Sequence, residues 1–177
     1  NRCRAVLLDA NLSVEALVFL AEHIHVPLFA DAVSAAKAPR LRAILGRLTA
    51  FKPNRIEAEL LSGVRITDSD SAREAAMRLL DTGLERVFIT LGPDGVFAAG
   101  RHSECLLPSL APRLKNATGA GDAFTAAIVW AWLRGFGLKK PRLAESPPAA
   151  IAAEAEETVN PALNEQALQQ RILEGRT

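Results

Sequence analysis

Two short apolar runs with an amphipathic stretch between them constrain the fold more than any other feature. Ala5 to Leu8 reads as a buried strand that ends at Asp9-Ala10-Asn11. Ser13 is placed to cap a helix whose Val14, Leu17, Val18 and Ala21 share one face. Pro27 to Ala30 then reads as a second strand, ending at Asp31. Strand, helix and strand at this spacing predict a βαβ unit and a parallel sheet. In such sheets ligands sit beyond the carboxyl ends of the strands, where Asp9, Asn11 and Asp31 fall. Turn chemistry explains the same residues equally well.

The pattern continues through the middle of the chain. Pro39 to Leu48 predicts a short helix with Leu41, Ile44, Leu45 and Leu48 on one face, and Thr49 to Phe51 a brief strand. In Lys52-Pro53-Asn54-Arg55-Ile56-Glu57, the proline ends the strand, and Asn54 with Glu57 has the form of a capping box. Ser62-Gly63 closes that helix. Asp68 to Asp70 opens the next, which presents Ala72, Ala75, Ala76, Leu79 and Leu80 inward and stops at Gly83. Val87 to Leu91 is a strand, Gly92-Pro93-Asp94-Gly95 a turn, and Val96 to Ala99 the returning strand. After Gly100-Arg101-His102, Glu104 to Leu107 adds another. The late part of the sheet is therefore expected to be hairpins.

Near the C-terminal third, Asn116-Ala117-Thr118-Gly119-Ala120-Gly121-Asp122-Ala123-Phe124 runs into an apolar helix, Ala123 to Leu133. The glycines permit close backbone approach to a ligand. Unpaired N–H groups and the dipole make the helix start an anion site. Asp122 falls in that first turn. An ionised carboxylate beside a phosphate cradle can accept a proton from an attacking hydroxyl while the amides hold the transferred charge. On spacing alone, a plain helix start with glycines before it stands level with this reading. A dinucleotide fingerprint fits poorly, because Phe124 stands where its third glycine belongs, and the Gly-Lys-Ser/Thr of a P-loop is lacking. Trp130 and Trp132 read as core. Arg134 to Pro148 reads as a loop, and Ala149 to Glu157 and Asn164 to Leu173 as helices.

Composition narrows the function classes. The 177 residues suffice for one domain, and 49% apolar content fits a globular protein. A net charge of +1 without a basic stripe argues against nucleic acid as a partner. Apolar runs fall short of the ~20 residues that span a bilayer, so no membrane partner is expected. Cys3 and Cys105 fit no metal or redox spacing and point to a reducing, cytoplasmic setting. The chain opens at Asn1 without Met and enters an apolar run almost at once, as a piece of something longer would.

Asn116 to Phe124 resembles the C-terminal signature of the ribokinase-like sugar and nucleoside kinases, the PfkB carbohydrate kinase family, usually Asp-Thr-x-Gly-Ala-Gly-Asp-x-Phe. The resemblance implies that Asp122 is the catalytic base and that Gly119, Ala120 and Gly121 form the anion hole. Asn116 and Ala117 replace the usual Asp and Thr, which leaves monovalent-cation activation open. Asn54 and Glu57 match the Asn-x-x-Glu motif that organises Mg²⁺ and its waters near the nucleotide, and such oxygen donors suit a hard, hydrated cation. A capped helix and a metal motif are compatible. Thr90 and Gly92 match the Thr-Leu-Gly that approaches the nucleotide, with Thr118 beside the anion hole and Asn160 as a further nucleotide neighbour.

Asp9-Ala10-Asn11-Leu12, Phe29 to Ser34 with Lys37-Ala38, Val159 to Leu163 and Asn116 all look like the pseudouridine kinase branch of that family. Asn11, Asp31 and Lys37 are then acceptor contacts; a solvated loop lysine is the other reading of Lys37.

The expected whole is an α/β, ribokinase-like fold: a central, mostly parallel sheet flanked by helices, with C-terminal hairpins. Residues 1–177 would be the C-terminal part of a single kinase domain, without the family's N-terminal strands and lid. The expected activity is transfer of the γ-phosphate of ATP, with Mg²⁺, to a sugar or nucleoside hydroxyl, the 5′-hydroxyl of pseudouridine above others. The alternatives are another kinase of the same fold and a nucleotide-binding remnant without turnover. An exposed sheet edge would also favour a homo-oligomer.

Overall fold

The computed structural model describes residues 3–107 and 120–135. The expected loop beyond Gly135 and the two expected C-terminal helices lie outside them. The chain divides into two compact units, Asn1–Leu91 with Val96–Leu106, and Gly92–Gly95 with Leu107–Thr177.

The first unit is built on the predicted βαβ unit. β1 (Val6–Asp9) and β2 (Leu28–Asp31) pair in parallel, with Asp9 opposite Asp31, and α1 (Val14–His23) connects them. Ser13 caps α1 by accepting the Ala16 N–H. β3 (Ala50–Phe51) adds to β2 and β4 (Arg86–Thr90) to β3, again in parallel. The connections carry α2 (Arg55–Ser62) and α3 (Ser69–Leu80). β5 (Val96–Gly100) returns antiparallel to β4, and β6 (Ser103–Leu107) lies beside β5. The strands therefore stand in chain order, β1 to β6. Right-handed crossovers between parallel strands in chain order put the connecting helices on one face of the sheet. Residues at alternate strand positions, Leu28, Ala30, Phe51, Val87 and Ile89, join Leu17, Leu41, Ile44, Ala75 and Leu79 in one core. The intervening Phe29, Ala50, Phe88 and Ala98 are buried as well, so these strands are shielded on both faces.

The segment expected as an α-helix over Pro39 to Leu48 is instead a 3₁₀ helix, Ala38–Arg47. Its buried Ala38, Leu41 and Ile44 recur every three residues, which suits the tighter turn. Its arginines satisfy carbonyls on neighbouring elements. Arg40 Nη1 donates to Ala10 O at 3.0 Å, Arg47 Nε to Ala21 O at 3.1 Å and Arg42 Nη2 to Leu60 O. Gly46 is required by close approach, since a Cβ there would lie 2.4 Å from the Thr82 carbonyl oxygen.

Of the second unit, α4 (Ala120–Leu133) starts three residues before the expected Ala123. Phe124, Ala127, Ile128 and Ala131 form its buried stripe. Trp130 and Trp132 are half-buried rather than core, and the Arg134 guanidinium lies 5.5 Å from the Trp130 ring centre. Apolar composition around the whole helix hid this one-sidedness.

Candidate active site

The carboxyl ends of the parallel strands gather most of the expected site residues of the first unit. β3 runs into Lys52-Pro53, and Asn54 then caps α2. The capping box is complete: Glu57 N–H donates to Asn54 Oδ1 at 2.9 Å, and Asn54 N–H donates to Glu57 Oε2 at 2.8 Å. Glu57 is only 5% exposed, unusual for a carboxylate at a helix start. Burial pushes its carboxyl above the ordinary value; the Asn54 N–H and the Lys52 charge oppose that, and the Asp31 charge adds to it.

Thr90, at the end of β4, stands next to this box. Its N–H donates to Pro53 O at 2.9 Å, and it forms a parallel bridge with Asn54. The structure thus brings Asn54, Glu57 and Thr90 together across a long sequence separation. The three-residue spacing found the box; nothing local pointed to Thr90 as its neighbour.

At the ends of β1 and β2, Asp9 Oδ1 accepts the Asn11 N–H at 2.8 Å, the turn chemistry expected of Asp. Lys37 Nζ donates to Asn11 Oδ1, so two of the expected acceptor contacts meet and Lys37 is not simply solvated. Asp31 is tied differently. Its Oδ1 accepts the Val33 N–H at 2.8 Å, and Lys52 Nζ lies 3.4 Å from its Oδ2. Two residues here were not foreseen. Arg40 clamps the turn after β1 through the carbonyls of Ala10, Asn11 and Leu12. Lys52 is 8% exposed beside two carboxylates. The signal for Lys52 was a lysine directly after an apolar strand, a place where the chain is still inside.

The donor set fits a hydrated divalent cation. Among the described residues, no three His, Cys, Asp or Glu side chains gather closely enough to hold a metal ion alone. Mg²⁺ needs no such cage, since it keeps waters and takes one or two carboxylates plus substrate phosphates. Asn54 and Glu57 offer one amide and one carboxylate at a rigid helix start.

In the second unit, Gly92 opens a 3₁₀ turn, Gly92–Asp94, with φ +65° and nothing within 4 Å of where a Cβ would stand. Gly121 and Asp122 lie in the first turn of α4, and Asp122 is exposed. The Thr125 hydroxyl donates back to Gly121 O at 3.1 Å. Ala120 is the first helical residue. Asn116, Ala117, Thr118, Gly119 and Asn160 lie outside the described residues. No helix among the described residues is long and apolar enough to cross a membrane.

Pseudouridine kinase of Escherichia coli (strain K12) is 32% identical over 166 residues, which cover 93% of this chain and 53% of that protein. A carbohydrate kinase from Agrobacterium tumefaciens matches 97% of this chain and 54% of its own, at 28% identity and a TM-score of 0.73. Thermotoga maritima ribokinase, at 21% identity and a TM-score of 0.77, matches 96% of this chain and 56% of its own, and shares the fold. The chain spans about half the length of these relatives. Residues 6–162 match the family described as pfkB family carbohydrate kinase, a span holding both the strand-end cluster and the start of α4, and the chain belongs to that family.

Proposed function

We propose that this chain carries the phosphoryl-transfer part of an ATP-dependent kinase acting on a sugar or nucleoside hydroxyl, with the 5′-hydroxyl of pseudouridine as acceptor. It would form the C-terminal part of a single ribokinase-like domain. The observation that carries the reading is Asp122, an exposed carboxylate in the first turn of α4 that follows Gly119-Ala120-Gly121. An exposed carboxylate is able to meet an acceptor hydroxyl, which a core carboxylate is not. Asp122 takes the hydroxyl proton, the oxygen bonds to the γ-phosphorus, and the bond to the ADP oxygen breaks. The backbone amides of Gly119, Ala120 and Gly121 stabilise the charge spread over the transferred group; those of Ala120 and Gly121, in the first turn, have no intrahelical acceptor.

Asn54 and Glu57 would hold Mg²⁺ through water, where it would supply positive charge to the phosphates. Thr90, Gly92, Thr118 and Asn160 border the nucleotide. Asn11, Asp31 and Lys37 contact the acceptor. The support for pseudouridine is the likeness to the Escherichia coli kinase of that name over 93% of the chain.

An acceptor panel with Mg·ATP tests the assignment. Pseudouridine should exceed ribose and adenosine in kcat/KM by at least about tenfold. A preference for ribose or adenosine moves the acceptor within the family and leaves the kinase reading intact. A second reading is nucleotide binding without turnover. Mg·ATP binding by calorimetry with no transfer to any acceptor would select it.

A further inference from the structure

Two arginines of the 3₁₀ segment grip opposite ends of α1. Arg47 Nε donates to Ala21 O at 3.1 Å and its Nη2 to Ile24 O at 3.2 Å, at the carboxyl end. A cation there satisfies orphan carbonyls and suits the helix dipole, so helix stability explains Arg47. Arg40 is at the other end. Its Nη1 donates to Ala10 O at 3.0 Å and to Asn11 O and Leu12 O at 3.4 Å, directly before the Ser13 cap. A cation beside a helix N-terminus opposes the dipole, so helix stability does not explain Arg40. What those three carbonyls share is the turn that carries Asn11. The amides of the turn are tied as well, Ala10 N–H to Asp31 O at 3.1 Å and Asn11 N–H to Asp9 Oδ1 at 2.8 Å. The Asn11 side chain is held by the same segment: Lys37, three residues before Arg40, donates to Asn11 Oδ1. In a 3₁₀ turn residues three apart stand one above the other, so both cations reach one turn. An ammonium only donates, so Lys37 fixes Oδ1 as the accepting end of the Asn11 amide and leaves Nδ2 to donate elsewhere.

We propose that Arg40 is a positioning residue: by holding the Ala10–Leu12 turn it sets where Asn11 Nδ2 meets an oxygen of the acceptor substrate. Arg40 touches no substrate in this role. Its removal leaves three carbonyls without their shared donor, and the turn shifts toward water. The effect on the acceptor rests on the reading of Asn11 as an acceptor contact; the effect on the turn does not.

Four variants of the same chain test this: R40M, R47M, N11A and N11A/R40M. The readouts are amide hydrogen exchange at Ala10 and Asn11, the unfolding midpoint, and kcat and KM for pseudouridine at saturating Mg·ATP. R40M should speed exchange at both amides by about tenfold, the equivalent of one lost hydrogen bond, and raise KM by about tenfold with kcat within about twofold. R47M also takes an arginine from carbonyls of α1, so its unfolding midpoint should fall too, while KM and exchange at Ala10 and Asn11 stay within about twofold of wild type. A purely structural Arg40 predicts that R40M and R47M match in KM. N11A should raise KM, and R40M should add nothing in the N11A background. Exchange at Ala10 and Asn11 unchanged in R40M, KM changed alike in R40M and R47M, or a further rise in KM from N11A to N11A/R40M overturns the proposal. If R40M does not fold, R40K takes its place, since an ammonium lacks the guanidinium fork; about threefold faster exchange at both amides then supports the proposal and wild-type exchange overturns it. A KM unmoved by N11A rejects Asn11 as an acceptor contact, and no turnover in the wild-type chain rejects the kinase reading of it. In either case exchange in R40M against R47M still decides whether Arg40 holds the turn.

Discussion

Helices α2 and α3 both begin with a reciprocal capping box, Asn54 with Glu57 in one and Asp68 with Ser71 in the other. The local geometry is the same, but the surroundings are not. Asp68 and Ser71 face solvent or lie near it, and the Ser71 hydroxyl and N–H hold the Asp68 carboxyl below its ordinary value. Glu57 is buried at the end of β3, beside Lys52 and Asp31. A cap needs no burial, and a carboxylate loses hydration by being buried. The α3 box is explained by helix initiation alone, whereas the α2 box holds a charge where helix initiation does not require one. Such unrequired, perturbed charges cluster at functional sites.

The sharpest way to break this contrast is to remove the charge and keep the cap. Gln serves at the third helical position of a capping box as Glu does. Glu57→Gln should fold normally yet lower phosphoryl transfer by about 10–100-fold, the usual cost of losing a group that orients a metal. Ser71→Ala, in the other box, should leave transfer unchanged. Equal effects on transfer would erase the distinction.

A cap-preserving swap at Asn54 gives the next largest effect. Ser caps helices about as well as Asn, so Asn54→Ser should hold the unfolding midpoint while transfer falls by about tenfold. Full activity in this variant would mean that Asn54 only starts a helix.

The smallest effect is a difference in sign. The Glu57 carboxyl lies above its ordinary 4.5 in the folded chain, so the fold binds that proton more tightly than the unfolded chain does. Its contribution to stability is present below 4.5 and is lost as pH rises through the folded value. Asp68 is held below its ordinary 3.8, so its contribution is present above 3.8 and is lost as pH falls through the folded value. Unfolding midpoints measured against pH should therefore show Glu57→Gln gaining on the wild type as pH rises from about 4.5 to 7. Asp68→Asn should close on the wild type as pH falls below 3.8. Parallel curves for the two variants would contradict the difference in environment.

What could be read from the chain follows the range of the interaction. The Ser13 cap, the Asn54–Glu57 box and the Gly63 stop are encoded within four residues, and all three formed as expected. The parallel pairing of β1 with β2 was expected from two apolar runs and the helix between them, whereas the order of the strands was not. The 3₁₀ helix was missed because its choice depends on carbonyls that Arg40, Arg42 and Arg47 find on distant elements. Val33 was missed for a different reason: its amide is tethered locally, to Asp31 two residues before it, but nothing in Ala32-Val33-Ser34 favours positive φ. Within the site, Asn54 and Glu57 were legible as a motif, while the bridge from Asn54 to Thr90 and the burial of Lys52 appear only once the strands align.

Substituting Asp122 by Asn removes the proposed base while keeping shape and exposure at the start of α4. Phosphoryl transfer from Mg·ATP, measured beside Mg·ATP affinity, should fall by at least about a hundredfold with binding nearly unchanged. Transfer that persists at more than a few per cent of wild type would show that a different group takes the acceptor proton.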